Sequence, residues 1–179
     1  MKKFIIYVIG TLFIFSSCMN GKKSSYDKIK NLEKELMSKD AMPIDTVKAG
    51  NLVNMYMDYA KKYSDDSNAV RFLFKAANIS MNINKAKLAI ELFDRIMNDY
   101  PKFAKVADCL FLKAFVYDDK MKDYNKAREA YQAFLNKYPT HPFAESAKAS
   151  IQNLGKTPDQ LIRDFEAKQR QDSLAKKNI

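Results

Sequence analysis

His141 is the only histidine in the chain, and it stands between Thr140 and Pro142 in a stretch that reads as a turn. Acid–base chemistry near neutral pH therefore lacks its usual side chain, and no second or third ligand stands at metal-site spacing. The carboxylate pairs Asp65-Asp66 and Asp118-Asp119 lie outside any loop with calcium-ligand spacing, so solvated helix ends are the expectation for both. Two cysteines, Cys18 and Cys109, are far apart in sequence, and the chain has neither a glycine-rich phosphate loop nor a serine or cysteine nucleophile motif. No catalytic residue, metal or cofactor is expected, and the chain is not expected to be an enzyme. A catalytic role would require a carboxylate pair assembled only by folding.

Aromatic residues are the other chemical resource. Phe72, Phe74, Phe93, Phe111, Phe115, Tyr117, Tyr131 and Phe134 are dense enough for a ligand slot, yet helical spacing explains most of them as core. Their order comes from a repeated pattern between Ala69 and Pro139. Ala89-Ile-Glu-Leu-Phe-Asp-Arg-Ile-Met-Asn-Asp-Tyr-Pro101 and Ala127-Arg-Glu-Ala-Tyr-Gln-Ala-Phe-Leu-Asn-Lys-Tyr-Pro139 match at a shift of 38 residues. Apolar positions three and four apart make each block an amphipathic helix, and the proline ends it by withholding the next helical N–H. Helices from Val70 to about Met81 and from Ala107 to about Asp118 precede them. Ala77 and Ala114 let the paired helices approach closely. Two helices per period, each unable to bury its stripe alone, predict a stack of helix pairs with a continuous core.

The pattern resembles the tetratricopeptide repeat family. Leu73, Ala76, Ala77, Ala89, Phe93, Ile96 and Pro101 fall at that family's spacing, with Ser80 where an aromatic is usual. Leu110, Ala114, Tyr117, Ala127, Tyr131, Phe134 and Pro139 follow it again, given one extra residue in the turn within the pair and Lys113 where Leu is common. The run from Tyr138 to Ala147 is similar to the repeats of cell-envelope proteins such as the outer-membrane barrel-assembly lipoprotein and the Tol-Pal accessory protein. The resemblance implies an all-α fold, a short tetratricopeptide-repeat superhelix of antiparallel helix pairs. Four glycines and no alternating β-branched stretch agree with the class.

The first 17 residues read as a targeting segment. Lys2 and Lys3 open it, and the apolar run from Phe4 to Phe15 is too short to cross a bilayer, which takes about twenty residues. With Ser16, Ser17 and Cys18 it resembles a bacterial lipoprotein signal, which implies lipidation of Cys18; Phe15 departs from the Leu most often found there. Asn20, Gly21, Lys22 and Lys23 lack the acidic residues that direct such lipoproteins to the surface, so the resemblance implies an outer-membrane protein facing the periplasm. An ordinary cleaved leader with an incidental cysteine is the alternative. Cys109, then left alone, reads as a small core residue.

Residues 18–25 read as a tether. Residues 26–63 carry two helices: Tyr26, Ile29, Leu32 and Leu36 on the first, and on the second, capped by Asp45, a partial repeat in which Tyr56, Tyr59 and Tyr63 align with Phe93, Ile96 and Tyr100. Residues 64–139 hold the two full repeats. Residues 140–179 read as capping helices, one from Pro142 to about Leu154 and another started by the capping box Thr157-Pro-Asp-Gln160, docked by Leu161, Ile162 and Phe165 and frayed past Lys168. The formal charge of +10 is spread along the chain without a basic block, which argues against nucleic acid as a partner.

In the family the first helix of each pair lines the concave side. Carried over by position, Arg71, Phe74, Asn78 and Met81, with Asp108, Phe111, Phe115 and Asp118, would face a partner groove, Phe74 and Phe111 one repeat apart. An apolar pair flanked by Arg and Asp suits an extended peptide or helix of another envelope protein. The competing expectation is that the helix at 26–36 covers these rings. The expected function is a non-catalytic, membrane-anchored scaffold or adaptor, with a lipoprotein binding cell-wall glycan or a small ligand as the alternative.

Overall fold

A computed structural model of the chain describes residues 20–36 and 45–177. The leader, Cys18 and the break at 41–44 lie outside them. Every regular element among the described residues is helical: α1 (20–36), α2 (Thr46–Lys62), α3 (Ser67–Asn82), α4 (Ala86–Asp99), α5 (Val106–Phe115) with a π turn at Val116–Lys120, α6 (Tyr124–Lys137), α7 (Ala144–Asn153) and α8 (Pro158–Lys177). The chain forms two compact units, one up to Cys109 and one from Leu110, so the boundary falls within α5.

In the first unit α3 packs against both α2 and α4. The stripes predicted from spacing are the core: Leu73, Ala76, Ala77, Ala89, Phe93 and Ile96 are fully buried, as are Tyr56 and Leu52 of α2. Each large apolar side chain so buried contributes about 1.5–3 kcal/mol. Asp45 caps α2 by accepting from Val47 N and Lys48 N, each at 3.0 Å, and Asp66 caps α3 by accepting from Asn68 N at 2.8 Å.

The links after α2, α4 and α6 share one geometry. Tyr63, Tyr100 and Tyr138 end their helices at φ/ψ of −131/51, −130/56 and −134/57. The N–H groups of Asp66, Phe103 and His141 then bond back to those tyrosines' carbonyls. Ser64 thus makes the same turn that Pro101 and Pro139 make.

The extra residue of the second pair is the π turn. Asn84 and Lys122, at φ 58 and 54, turn the two pairs at equivalent places. In the first, Lys85 N reaches back to Ser80 O at 2.8 Å; in the second, Asp123 N reaches one residue further, to Tyr117 O at 2.9 Å. Widening one turn of helix absorbs an inserted residue without rotating the residues beyond it. In the second unit α6 packs on this turn and on α7, with Tyr131, Phe134, Ala127 and Ala147 buried.

Five expectations need correction. Residues 20–25 are not a tether but the first turns of α1, held by the ion pair of Lys22 with Asp66 and by Tyr26 on the Phe72 ring at 5.8 Å. On α1 the buried positions are Ile29 and Glu33, with Leu32 only half-buried, because the stripe runs through a charged residue. α7 starts at Ala144, two residues after Pro142.

The Thr157–Gln160 capping box is present, Thr157 N donating to Gln160 Oε1 at 2.8 Å and Gln160 N to Thr157 Oγ1 at 3.3 Å. It starts a helix that continues through Lys177, past the expected fraying point. Leu161, Ile162 and Phe165 are 38, 57 and 62% exposed rather than docked. Three apolar residues followed by Lys168, Gln169 and Arg170 give α8 too little stripe to bury.

Candidate functional site

In the first unit, Arg71, Phe74, Asn78 and Met81 recur at three and four residues along α3 and share a side of it. Arg71 is exposed; the other three are half-buried. Phe74 is edge-on to Phe93 of α4 and to Phe103 of the following link, with centroids 6.3 and 6.0 Å away. Its other face carries Lys105 Nζ at 5.5 Å. That ammonium is also 3.1 Å from the Asp108 carboxylate, in the first turn of α5. The structure therefore brings Phe74 and Asp108 together through a lysine that the sequence reading passed over; the i, i+3 spacing of Lys105 and Asp108 was its only signal. Asn78 Nδ2 donates to Phe74 O at 2.7 Å, a helix-internal bond that engages one of its two N–H groups.

In the second unit Phe111 sits between α6 and the link before α7. Phe143 stacks on it at 4.7 Å, and Phe134 and Tyr131 lie at 5.5 and 5.6 Å. Phe115 is more open, 36% exposed. Asp118 lies in the π turn, where burial pushes its carboxyl above the usual carboxylate range; Lys122 opposes this and Asp119 adds to it. Phe111 and Phe74 thus share one setting: each is tucked against the second helix of its own pair and the link that follows, with part of the ring left open. The helix α1 places its aromatic contact on Phe72, which is 3% exposed, and not on Phe74.

The most perturbed carboxylate lies elsewhere. Glu33 of α1 is 4% exposed, and its Oε1 accepts from Tyr56 Oη at 2.6 Å and Lys75 Nζ at 2.7 Å, with Lys30 paired to Oε2. Burial alone would raise its pKa; the hydrogen bonds from Lys30, Lys75 and Tyr56 outweigh that and hold it at about 2. All its donors come from packed helices, so the group is a clamp joining α1 to α2 and α3. The signal available in sequence was a charge on the 26-29-33-36 stripe.

The remaining candidates have structural duties. Cys109 is fully buried, and burial pushes its thiol up to about 12. Asp66 caps α3, and Asp119 pairs with Lys120 at 2.9 Å and Lys122 at 3.7 Å. His141 Nδ1 accepts from Phe143 N at 3.2 Å, and the ring stands edge-on to Phe134. No three His, Cys, Asp or Glu side chains among the described residues converge as a metal site.

With this geometry in place, the comparison with known families is direct. The family model described as tetratricopeptide repeat matches residues 72–102 and 108–141. Those ranges cover α3–α4 and α5–α6, the two pairs in which Phe74 and Phe111 are equivalent. The chain carries two tetratricopeptide repeats in an all-α fold, and repeats of this class generally serve as non-catalytic scaffolds that bind proteins. A search of curated proteins returned no match.

Proposed function

We propose that this chain is a non-catalytic scaffold of the bacterial cell envelope, held on a membrane by acyl chains at Cys18, whose repeats take an extended peptide or helix of another envelope protein. One observation carries the binding part: Phe74 and Phe111 occupy the same position in successive repeats, and each leaves part of its ring open, that of Phe74 beside Lys105. Apolar area bordered by charge is what an amphipathic segment recognises. The leader and Cys18 support the anchoring part, and the envelope-type Tyr138–Ala147 run supports the compartment, an outer membrane with the protein on its periplasmic side.

The test is crosslinking and capture from membranes with the native chain beside Cys18→Ala, Arg71→Glu and Phe115→Ser variants. Arg71 is exposed and Phe115 is the most open aromatic of the candidate groove, so the CD spectra of both variants should match that of the native chain. Recovery of the same one or two envelope proteins, lost in Cys18→Ala and reduced in the repeat variants, supports the reading. Capture unchanged by Arg71→Glu and Phe115→Ser places binding on other surfaces. Glycan alone in the captured fraction overturns the scaffold role.

A further inference from the structure

Cys18 is two residues from Asn20, where α1 is already under way. Two residues of chain span at most about 7 Å. That helix is not loosely attached. Lys22 is paired with Asp66, Gly21 lies where an added Cβ would be 3.5 Å from Tyr63 Oη, and Tyr26, Ile29 and Glu33 are packed or bonded further along. If acyl chains sit at Cys18, the headgroups begin within one side chain's reach of the folded first unit.

The end of the unit that would meet them is identifiable. It gathers the start of α1, the last turn of α2 and the start of α3, since Lys22 meets Asp66 there while Glu35 meets Lys48 at the opposite end. A shallow depression of about 620 Å³ at this end is lined by Lys22, Lys62, Tyr63, Ser64 and Asp66, among others. Lys23 lines the neighbouring one with Tyr26 and Tyr59. Lys61 and Lys62 close α2, both exposed. Against these lysines stand Asp65, Asp66, which is paired with Lys22, and Asp58, which lines a further depression with Lys28 and Lys62; a positive excess remains from Lys23, Lys28, Lys61 and Lys62. Tyr26, half-buried between the lysines, is an amphipathic ring of the kind that settles at a headgroup boundary.

We propose that the first unit seats end-on upon an anionic phospholipid surface, with Lys22, Lys23, Lys61 and Lys62 at the headgroups and no slack between acyl chains and fold. This rests on acylation of Cys18. It adds a definite orientation: α3 would lead away from the bilayer, its far end at Asn82 about 24 Å from Ser67 along sixteen residues of helix. Neutral headgroups would hold the same acyl chains without holding the face.

The experiment uses the full chain purified from membranes, with mass spectrometry of the N-terminal peptide read first. Ser64→Cys and Asn82→Cys forms each receive a maleimide fluorophore; buried Cys109 does not compete for it. The labelled proteins are placed in vesicles of phosphatidylethanolamine and phosphatidylglycerol carrying a headgroup nitroxide. The expected result is quenching at position 64 about threefold stronger than at position 82, falling towards parity in a Lys23→Glu, Lys61→Glu, Lys62→Glu form and in phosphatidylcholine vesicles. A matching triple Lys→Gln form of unchanged CD spectrum guards against misfolding and should lose the contrast too. Equal quenching on an acylated chain overturns the seat and leaves the anchoring intact. An N-terminal peptide without acyl chains overturns both.

Discussion

Lys75 Nζ lies 2.7 Å from Glu33 Oε1 across 42 residues of sequence, and this contact ties the helix next to the leader to the first helix of the first repeat. Tyr56 completes the arrangement from α2, so one carboxylate holds three helices in register. Its removal should therefore act on the whole first unit, while its protonation gives the unit a definite response to acid.

The ordinary glutamate value is 4.5, and Glu33 is held at about 2. Between those values the unfolded chain carries a proton that the folded chain does not, so stability rises with pH through this window. The contribution is complete above the ordinary value and is lost as pH falls towards 2, by about 3 kcal/mol at most. Glu33→Gln should lower stability near neutral pH by about 2 kcal/mol and flatten this acid limb, as read from urea midpoints across the window. An acid limb identical in the variant would show that Glu33 is not its source.

The π turn at Val116–Lys120 predicts an asymmetry between the repeats. Deleting Asp119 should let the turn close into ordinary α-helix and cost no more than about 2 kcal/mol, with the helical CD signal kept. Deleting Asn78 from α3 has no widened turn to absorb it. Every later stripe position would rotate by about 100°, and cooperative unfolding should disappear.

Lys122 holds φ 54, a left-handed conformation that a side chain with a Cβ resists. Its equivalent Asn84 is among the residues that tolerate it. Lys122→Gly should stabilise the chain by about 0.5–1 kcal/mol, despite losing the weak 3.7 Å pair with Asp119. The measure is a denaturation midpoint shifted upward at unchanged slope.

Phe74 is half core and half surface, so Phe74→Ala should destabilise by about 2 kcal/mol while leaving a folded protein. Arg71→Glu, exposed on the same helix, should stay within about 0.5 kcal/mol of the native chain. Partner capture reduced by both would mark that side of α3 as the binding face. Capture reduced by Phe74→Ala alone, in proportion to lost stability, would assign the ring to the fold.

Much of the fold was legible because helical periodicity is local. Leu73, Ala77, Phe93 and Ile96, and their counterparts Ala114, Tyr131 and Phe134, announce their burial through three- and four-residue spacing alone, and all are buried. The caps at Asp45 and Thr157 were legible for the same reason, since each bonds within four residues of itself. The amino-acid order also determined that one pair carries an extra residue, and that Phe74 and Phe111 are equivalent.

What the order could not determine depends on partners distant in the chain. A polar run at 20–25 reads as a tether until Asp66, Tyr63 and Phe72 arrive to hold it as helix. Leu161, Ile162 and Phe165 read as a docking stripe, yet a stripe is buried only where another surface meets it, and here they remain open. Glu33 looks like solvated charge in sequence; only packing of three helices turns it into a buried clamp. How far Phe74 and Phe111 remain open was likewise decided by tertiary structure, because Phe103, Lys105 and Phe143, not the neighbouring residues of their own helices, cover the rest of each ring.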